Sequence, residues 1–318
     1  MSASIAEIQS VLSCPIDRAP LTLTGDKLTC ERGHSFAIEM GVPIFSDHPR
    51  REPKPQNMAP CAIDPASPVD PFVNDWIVNT NGNLYWQVRG RLPHYPIPQW
   101  PGGAPARPGA SVVDLGCGWG RWTMSAAKAG YKPIGIDIHV DALQAGVRVS
   151  ERLGLDCGFV CNGIDQLPFG DNTIDCVFSY SVLQHMDRER VRKVLAEARR
   201  ILKPGGTVLI QLPNTFGPLS VVQQLRRGFR EAKAGTFEMR YWTPGGISKV
   251  FEGAQLEPPT LRSDGFFSQN PQMSDLPLLS PLGKIVVRTS HALAGVANAA
   301  PPLARLSDSL WVSARKSE

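Results

Sequence analysis

The stretch that decides the fold is 111-SVVDLGCGWG-120, in which a short apolar run leads to Asp114 and then to Gly116, Gly118 and Gly120. The apolar run predicts a buried strand, and the residues that follow it, GRWTMSAAKAG, predict a helix. When a strand passes through a glycine-rich turn into a helix, backbone N–H groups and the positive end of the helix point toward a ligand. We therefore expect a ligand-binding turn at these glycines.

Strand and helix patterns continue to alternate after this turn. The predicted strands are KPIGIDI (132–138), CGFVCN (157–162), TIDCVFSYSVL (173–183), TVLIQLP (207–213) and DSLWVSARK (308–316), and the predicted helices are DALQAGVRVSERLG (141–154) and DRERVRKVLAEARRILKPGG (187–206). Asp187 is the expected N-cap of the second of these helices. Strands separated by helices form parallel β-α-β units, so we predict an α/β fold with a doubly wound, mostly parallel sheet.

Composition and charge indicate a globular chain. Of the 318 residues, 42% are hydrophobic and 19% charged, and a net charge of +4 neither requires nor excludes a nucleic-acid partner. The seven cysteines are odd in number and several lie in apolar runs, which predicts reduced thiols and a cytoplasmic location. The sequence shows no secretion signal and no run of eighteen apolar residues, so no membrane span is expected.

A proline-rich segment predicts where the chain divides. Residues 1–50 form a compact, turn-rich module, residues 51–71 form an extended linker, and residues 72–318 form the main domain. Insertions at about 215–240 and 270–306 are expected to form a lid and a pocket for the molecule on which the protein acts, as insertions near the carboxyl ends of the strands in doubly wound folds often do. The second insertion is long, apolar and lightly cationic, and three roles fit it: cover for an apolar substrate, contact with a membrane surface, or plain helical packing.

The spacing of the glycines narrows the choice of ligand. The dinucleotide pattern is G-x-G-x-x-G, whereas this turn reads G-x-G-x-G with Arg121 in place of the third glycine, which disfavours NAD and FAD. Asp137 ends the second predicted strand, where a carboxylate accepts hydrogen bonds from ribose hydroxyls. Asp114 suits a cationic or amine-bearing ligand better than a pyrophosphate. Together these residues favour a nucleoside with an amino-acid tail.

Four motifs, VVDLGCGWG, IGIDI, LPFGDNTIDCVFSYSVLQHM and ARRILKPGG, resemble in this order the motifs of class I S-adenosylmethionine-dependent methyltransferases of the type 11-like group. The resemblance implies a seven-stranded Rossmann-like sheet and S-adenosylmethionine as the cofactor. It also implies that the glycine turn packs against the methionine part of the cofactor, that Asp137 binds the ribose, and that the stretch before LPF frames the adenine. The residues so implied in cofactor binding are Asp114, Gly116, Gly118, Gly120, Asp137, Ile138, Gly163, Ile164, Asp165 and Ser179.

One position departs from the family's pattern. The family often has an acidic residue before LPF that contacts the adenine amino group, and this chain has Gly163 there. The adenine contacts are then expected from the backbone of Gly163 and Ile164, or from Asp165.

His185, in SVLQHM after the fourth predicted strand, is the candidate catalytic residue. By the same resemblance it lies over the reaction centre, where it would act as the general base for a hydroxyl acceptor. The alternative is that it shapes the pocket or caps the next helix. The chain reads SYSVL where methyltransferases acting on amino groups carry Asp/Asn-Pro-Pro-Tyr, so methylation of exocyclic amines of bases is disfavoured.

The N-terminal module has the spacing of a metal site. Cys14 and Asp17 are separated by two residues, and Cys30 and His34 by three, as the two ligand pairs of a tetrahedral zinc site are. The segment is similar to zinc-ribbon modules that precede some methyltransferase domains, including certain rRNA guanine methyltransferases. Asp17 stands where that pattern has cysteine, so the alternatives are a structural zinc ion and a metal-free relic held by packing.

The leading interpretation is a methyltransferase that acts on a small, partly apolar acceptor, such as a sugar, polyketide, quinone or lipid-linked intermediate, at oxygen. The N-terminal module prompts the alternative of an rRNA methyltransferase. A third interpretation is a binding or scaffold protein that has the cofactor fold without its chemistry, and a fourth is a nicotinamide oxidoreductase, which the glycine spacing disfavours.

Overall fold

The computed structural model describes residues 5–51, 61–102, 107–233, 236, 238–267 and 272–318. Residues 52–60 of the expected linker lie outside the described residues, as do 234, 235 and 237 in the first insertion and 270–271 in the second. The strands are β1 Leu21–Thr24, β2 Lys27–Cys30, β3 Ser35–Glu39, β4 Val42–Pro43, β5 Ser111–Leu115, β6 Lys132–Asp137, β7 Gly158–Cys161, β8 Ile174–Ser179, β9 Leu202–Pro213, β10 Thr260–Gly265 and β11 Ser309–Arg315. The helices are α1 Ile5–Gln9, α2 Pro71–Asn81, α3 Arg121–Lys128, α4 Val140–Leu153, α5 Arg188–Ile201, α6 Pro218–Arg226, α7 Pro244–Gly253, α8 Pro281–Ala299 and α9 Pro301–Ala304, with short 3₁₀ helices at Asn83–Val88, Leu183–His185 and Met273–Leu278.

The main sheet has seven strands among the described residues, in the order β10-β11-β9-β8-β5-β6-β7. Strands β5 to β9 run parallel to one another. Strand β11 lies between β9 and β10 and is antiparallel to both. The predicted α/β fold with a doubly wound, mostly parallel sheet is confirmed. The chain order reverses at β5, with β6 and β7 on one side and β8 and β9 on the other, and in such sheets ligands bind beyond the carboxyl ends of the strands at this point.

The helices cover the sheet with the apolar stripes that the sequence predicts. In α5 the stripe Val191, Val194, Leu195, Ala198 and Ile201 is fully buried. The side chain of Asp187 accepts a hydrogen bond from the N–H of Arg190 at 2.8 Å, which confirms the predicted N-cap. Local helix signals and burial therefore agree here, and α5 lies where the β-α-β pattern requires it.

The N-terminal strands form a separate antiparallel sheet that packs directly against the main sheet. Strand β4 lies beside β7, with a parallel bridge between Ile44 and Cys161 and a 2.8 Å hydrogen bond from the Phe45 N–H to the Cys161 carbonyl. Leu12 forms a further bridge with Phe169, and both belong to the core shared by the two sheets. The module therefore occupies the edge of the main sheet at β7.

Two elements differ from the sequence prediction. The predicted linker extends to residue 71, yet Asp70 caps α2 by accepting a hydrogen bond from the Phe72 N–H at 2.9 Å, and Pro71 occupies the first turn of that helix. The predicted helix 187–206 ends at Ile201, because Leu202 already pairs with Ile174 of β8 in the main sheet. Tertiary pairing thus shortens the helix and lengthens the strand β9.

The C-terminal insertion is a helical segment bound to the edge of the main sheet. The side-chain amide of Asn298, in α8, accepts a hydrogen bond from the Ser263 N–H at 2.8 Å and donates one to the Ser263 carbonyl at 3.0 Å. Ser263 lies in β10, so Asn298 satisfies backbone groups that an outer strand would otherwise satisfy. Among the described residues, no helix combines the length and apolar character needed to cross a bilayer.

Candidate cofactor and acceptor site

The glycine turn lies at the carboxyl end of β5 and at the start of α3. Gly116, Gly118 and Gly120 have φ angles of +71°, +55° and +84°, a region that favours glycine. The N–H groups of Gly116 and Cys117 donate to the Ile136 carbonyl at 2.8 and 3.1 Å, which joins the turn to β6. The predicted turn therefore lies at the reversal point of the sheet, beside the ends of β6 and β8.

The close neighbours of two of these glycines are protein side chains. A Cβ atom on Gly116 would lie 2.5 Å from a methyl group of Val182, and one on Gly120 would lie 2.7 Å from the ring of Phe159. The absence of side chains at these positions is thus explained by packing and by the positive φ angles. Glycine here does not by itself identify a ligand.

Asp137 presents an ionised carboxylate at the end of β6. Its Oδ2 accepts a hydrogen bond from the Gly118 N–H at 2.9 Å, and its Oδ1 accepts one from the His139 N–H at 3.0 Å and lies 2.9 Å from His139 Nδ1. Burial alone would raise the pKa of Asp137, but the hydrogen bonds and charge of His139 and the bond from Gly118 outweigh it, so the pKa lies below its ordinary value. The carboxylate is therefore an acceptor joined to the glycine turn.

Asp114 has the opposite environment. It is 2% exposed, and its Oδ2 accepts a hydrogen bond from the Thr123 hydroxyl at 2.7 Å. Burial raises the pKa of Asp114 to about 7, and the negative charge of Asp137 adds to the rise. Near neutral pH this carboxyl group is divided between its neutral and ionised forms, and a nearby cation would favour ionisation.

The other predicted cofactor residues gather around the same crevice, with one exception. Ser179, at the end of β8, is fully buried and donates to the Leu115 carbonyl at 3.1 Å; Ile138 follows Asp137 directly. A Cβ atom on Gly163 would meet nothing within 4 Å, so the space beside it is open, and Ile164 next to it is buried. The exception is Asp165.

The carboxylate of Asp165 is held by Arg190 in an exposed ion pair, with N–O distances of 2.6 to 3.0 Å. Arg190 belongs to α5, so the side chain of Asp165 is already engaged on the outside of the crevice. Of the two alternatives for adenine contacts, the carboxylate of Asp165 is therefore already paired, whereas the space beside Gly163 is open.

A cavity of about 300 Å³ lies between the N-terminal module and the turn after β7. Its lining residues are Pro15, Ile16, Phe45, Ser46, Asp47, His48, Asn162 and Gln166. Sequence analysis did not place module residues near this turn, because contacts between segments so distant in sequence leave no local pattern. The module therefore forms one wall of the region next to Gly163.

His185 ends the short 3₁₀ helix Leu183–His185 that follows β8. Its Nε2 lies 3.2 Å from the side-chain nitrogen of Gln184, and its carbonyl accepts a hydrogen bond from Arg240 at 2.8 Å. The packing of Val182 against Gly116 brings this segment beside the glycine turn. His185 is half-buried in this segment.

A buried ion pair joins the glycine turn to the C-terminal insertion. Arg121, the first residue of α3, lies 2.7 Å from Asp275 in the 3₁₀ helix Met273–Leu278, and the two side chains are 7% and 0% exposed. Arg121 also donates to the Pro96 carbonyl at 2.6 Å. Although burial opposes it, the charge of Asp275 raises the pKa of Arg121 above its ordinary value. Sequence analysis noted Arg121 only as a replaced glycine and missed this pair.

The predicted metal ligands of the N-terminal module meet in space. Their ligand atoms all lie within 4.8 Å of one another. His34 Nδ1 is 3.0 Å from Asp17 Oδ2, 3.4 Å from Cys30 Sγ and 3.5 Å from Cys14 Sγ. The Asp17 Oδ1 accepts the Ala19 N–H at 2.9 Å, and this bond lowers the pKa of Asp17 to about 2, so Asp17 faces the cluster as a carboxylate.

Comparison with known proteins identifies a methyltransferase domain in the central region of the chain. Residues 112–206 match a family model described as a methyltransferase domain. A 37.1 kDa protein of transposon TN4556 from Streptomyces fradiae is 39% identical over 112 residues, which cover 34% of this chain and 32% of that protein. A ubiquinone/menaquinone biosynthesis C-methyltransferase from Burkholderia cenocepacia is 35% identical over 127 residues, which cover 38% of this chain and 51% of that protein.

Among solved structures, this chain is similar to a SAM-dependent methyltransferase from Methanosarcina mazei, with a TM-score of 0.47 and 17% identity. That match covers 66% of this chain and 94% of the other. The matches to the curated relatives span about half of their length or less.

Matched glycine substitutions separate backbone strain from packing in the turn. Gly120 and Gly130 both have φ of +84°, but a Cβ on Gly130 meets nothing within 4 Å. We expect Gly130→Ala to lower the free energy of unfolding by about 1–2 kcal/mol, and Gly120→Ala by about 1–3 kcal/mol more because of the Phe159 ring. Urea denaturation of both variants measures the difference, and equal losses would contradict the packing explanation.

The raised pKa of Asp114 predicts a stability difference that depends on pH. The folded carboxyl group keeps its proton to a higher pH than the unfolded one, so the wild-type protein loses stability as the pH rises from about 4 to about 7. Asp114→Asn lacks this loss, and we expect its stability relative to wild type to rise by about 2–3 kcal/mol between pH 5 and pH 8.

Thermal or denaturant unfolding at the two pH values measures this change, and Asp156→Asn, at an exposed carboxylate, is the control without such a change. A relative stability that does not vary with pH would show that Asp114 is ionised throughout this range.

Proposed function

We propose that this chain, which contains a methyltransferase domain at residues 112–206, transfers a methyl group from S-adenosylmethionine to a small, partly apolar acceptor. The observation that carries the proposal is the ionised carboxylate of Asp137, joined to Gly118 at the reversal point of the sheet. A carboxylate there suits ribose hydroxyls, which donate hydrogen bonds. The proposed location is the cytoplasm, and the proposed organisation is the module 1–50, a linker within 51–71 and a main domain from 72 to 318.

The proposed cofactor contacts follow the crevice. The turn at Gly116, Gly118 and Gly120 and the start of α3 would bind the methionine part, with the ionised form of Asp114 favoured by the positive charge of the methyl donor. Asp137 and Ile138 would bind the ribose. The backbone of Gly163 and Ile164 would bind the adenine, with Ser179 holding the end of β8 in position through its bond to Leu115. Asp165 is proposed to lie near the adenine without binding it, because its carboxylate is already paired with Arg190.

The donor supplies an activated methyl group, so the protein's task is to hold the acceptor in line with it. His185 is the proposed general base, which takes the proton from an acceptor hydroxyl. The insertions 215–240 and 270–306 are proposed to cover the acceptor, and the Arg121–Asp275 pair holds the second of them against the glycine turn. The carbon-methylating relative from Burkholderia makes carbon the alternative acceptor atom.

Cofactor and acceptor chemistry can be tested together. We expect the protein to bind S-adenosylhomocysteine in calorimetry and to bind NAD far more weakly. Asp137→Ala lowers S-adenosylhomocysteine affinity by about 10–100-fold because charged hydrogen bonds are lost. His185→Ala leaves that affinity unchanged and lowers methyl transfer from labelled S-adenosylmethionine, with small-molecule extract fractions as acceptors, by about 100-fold.

Asp156→Ala and His94→Ala, at exposed positions, are the matched controls and should behave as wild type. Failure to bind S-adenosylhomocysteine would overturn the proposal, and binding without transfer to any fraction would favour a scaffold protein. Transfer of the label to rRNA rather than to a small molecule would favour the alternative of an rRNA methyltransferase. A decrease of less than about tenfold in His185→Ala would contradict the base role.

We further propose that Cys14, Asp17, Cys30 and His34 hold a structural zinc ion. Two atoms bound to one tetrahedral zinc at about 2.0–2.3 Å lie about 3.3–3.8 Å apart. The distances of 3.0 to 3.5 Å from His34 Nδ1 to the other three ligand atoms fit this arrangement. Zinc would cross-link the first loop of the module to the turn after β2.

Metal analysis tests this site. Protein purified without chelator should contain about one zinc ion per chain, and Cys30→Ser should abolish it, since a lost thiolate removes a ligand. Cys61→Ser, outside the cluster, is the control and should retain the metal. Less than about 0.2 zinc per chain in the wild-type protein would show that the module is held by packing alone.

A further inference from the structure

The two C-terminal insertions leave an unusually apolar surface. Thirteen of the nineteen large apolar side chains that are exposed among the described residues lie between residues 216 and 306. Six of them are 42% to 70% exposed and lie on the helices α6 and α8 or directly after α6. They are Val222, Leu225, Phe229, Leu282, Ile285 and Val296. We name this set the α6–α8 surface. Exposed apolar groups that lie together on one surface are typical of an interaction site.

Both helices are bonded to the segment Phe266–Phe267, α6 through Asp308 and α8 directly. Asp308 Oδ1 accepts a hydrogen bond from the Ser220 N–H of α6 at 2.8 Å, and its Oδ2 accepts one from the Phe267 N–H at 2.9 Å. The adjacent Phe266 N–H donates to the Ser290 hydroxyl of α8 at 2.8 Å. Through this segment α6 and α8 are held in one region of the molecule, and Phe267, 43% exposed, adds to its apolar area.

Both helices carry basic residues and no acidic ones. Residues 215–230 and 276–306 contain six Lys and Arg residues and no Asp or Glu, a net charge of +6, whereas the whole chain has +4. Arg230 is paired with Glu238. In the part of the chain that the structure describes, Arg226, Lys284, Arg288 and Arg305 enter no ion pair. The apolar side chains are thus accompanied by cations that no acidic group of the described chain neutralises.

We infer that the α6–α8 surface binds the interface of an anionic lipid membrane. Apolar side chains on helices that lie along a bilayer enter the boundary between headgroups and acyl chains, and neighbouring cations are attracted to anionic headgroups. A second copy of this chain is a poorer occupant, because a symmetric dimer would bring the same positively charged surface against itself. The inference does not depend on methyl transfer.

Vesicle sedimentation of the full chain tests the inference. We expect the protein to sediment with phosphatidylcholine vesicles that contain phosphatidylglycerol, and about tenfold less with phosphatidylcholine alone. Arg226→Gln combined with Arg288→Gln should lower the affinity for the anionic vesicles by about 25-fold, at about fivefold for each cation. Leu225→Ser combined with Ile285→Ser should lower it by at least tenfold, since buried apolar area is lost.

Controls at other exposed positions are Lys193→Gln on α5 and Leu23→Ser on β1, which should sediment as wild type. Circular dichroism and urea denaturation check that every variant is folded. Equal sedimentation with both kinds of vesicle, or no effect of the surface variants, would overturn the inference. A dimer in analytical ultracentrifugation that Leu225→Ser and Ile285→Ser abolish, without vesicle binding, would assign the surface to self-association.

Discussion

The turn from β5 into α3 is the constraint on which the rest of the site depends. Three glycines with positive φ form this turn, and two of them lie so close to Val182 and Phe159 that a side chain at either position would clash with the segment after β8 or with β7. Arg121 follows directly and is buried against Asp275. A buried pair of this kind is tolerated when both partners are hydrogen-bonded, and here it ties the second insertion to the turn itself.

The sequence predicted the features that local patterns encode. The stripe of α5 and its N-cap Asp187 follow from residue spacing and from one side chain, and the alternation of strands and helices predicted the parallel sheet. The pair Arg121–Asp275 and the wall of the cavity formed by Phe45 and its neighbours join segments far apart in sequence, which no local pattern reports. The N-cap Asp70 and Pro71 after it are a local signal for the start of α2, but the many prolines before them led to the prediction of a linker.

Asp114 and Asp137 show how one crevice gives two carboxyl groups different properties. Hydrogen bonds from His139 and Gly118 keep Asp137 ionised, whereas burial raises the pKa of Asp114 to about 7 although the hydrogen bond from Thr123 opposes the rise. Neighbouring acids with pKa values shifted in opposite directions are common at functional sites, where the two groups have different tasks. A neutral group that carries hydroxyls suits the environment of Asp137. A positively charged group would suit that of Asp114.

On each outer strand of the main sheet, the chain's own atoms bond to outward backbone groups of one residue. Phe45, beside β4, bonds to Cys161 on β7, and the Asn298 amide bonds to Ser263 on β10. Backbone groups that are satisfied in this way cannot pair with a strand from another chain, and such pairing is the usual route to fibrillar aggregation and to β-augmentation by peptides. At Cys161 and Ser263 the sheet is therefore protected against extension by a foreign strand.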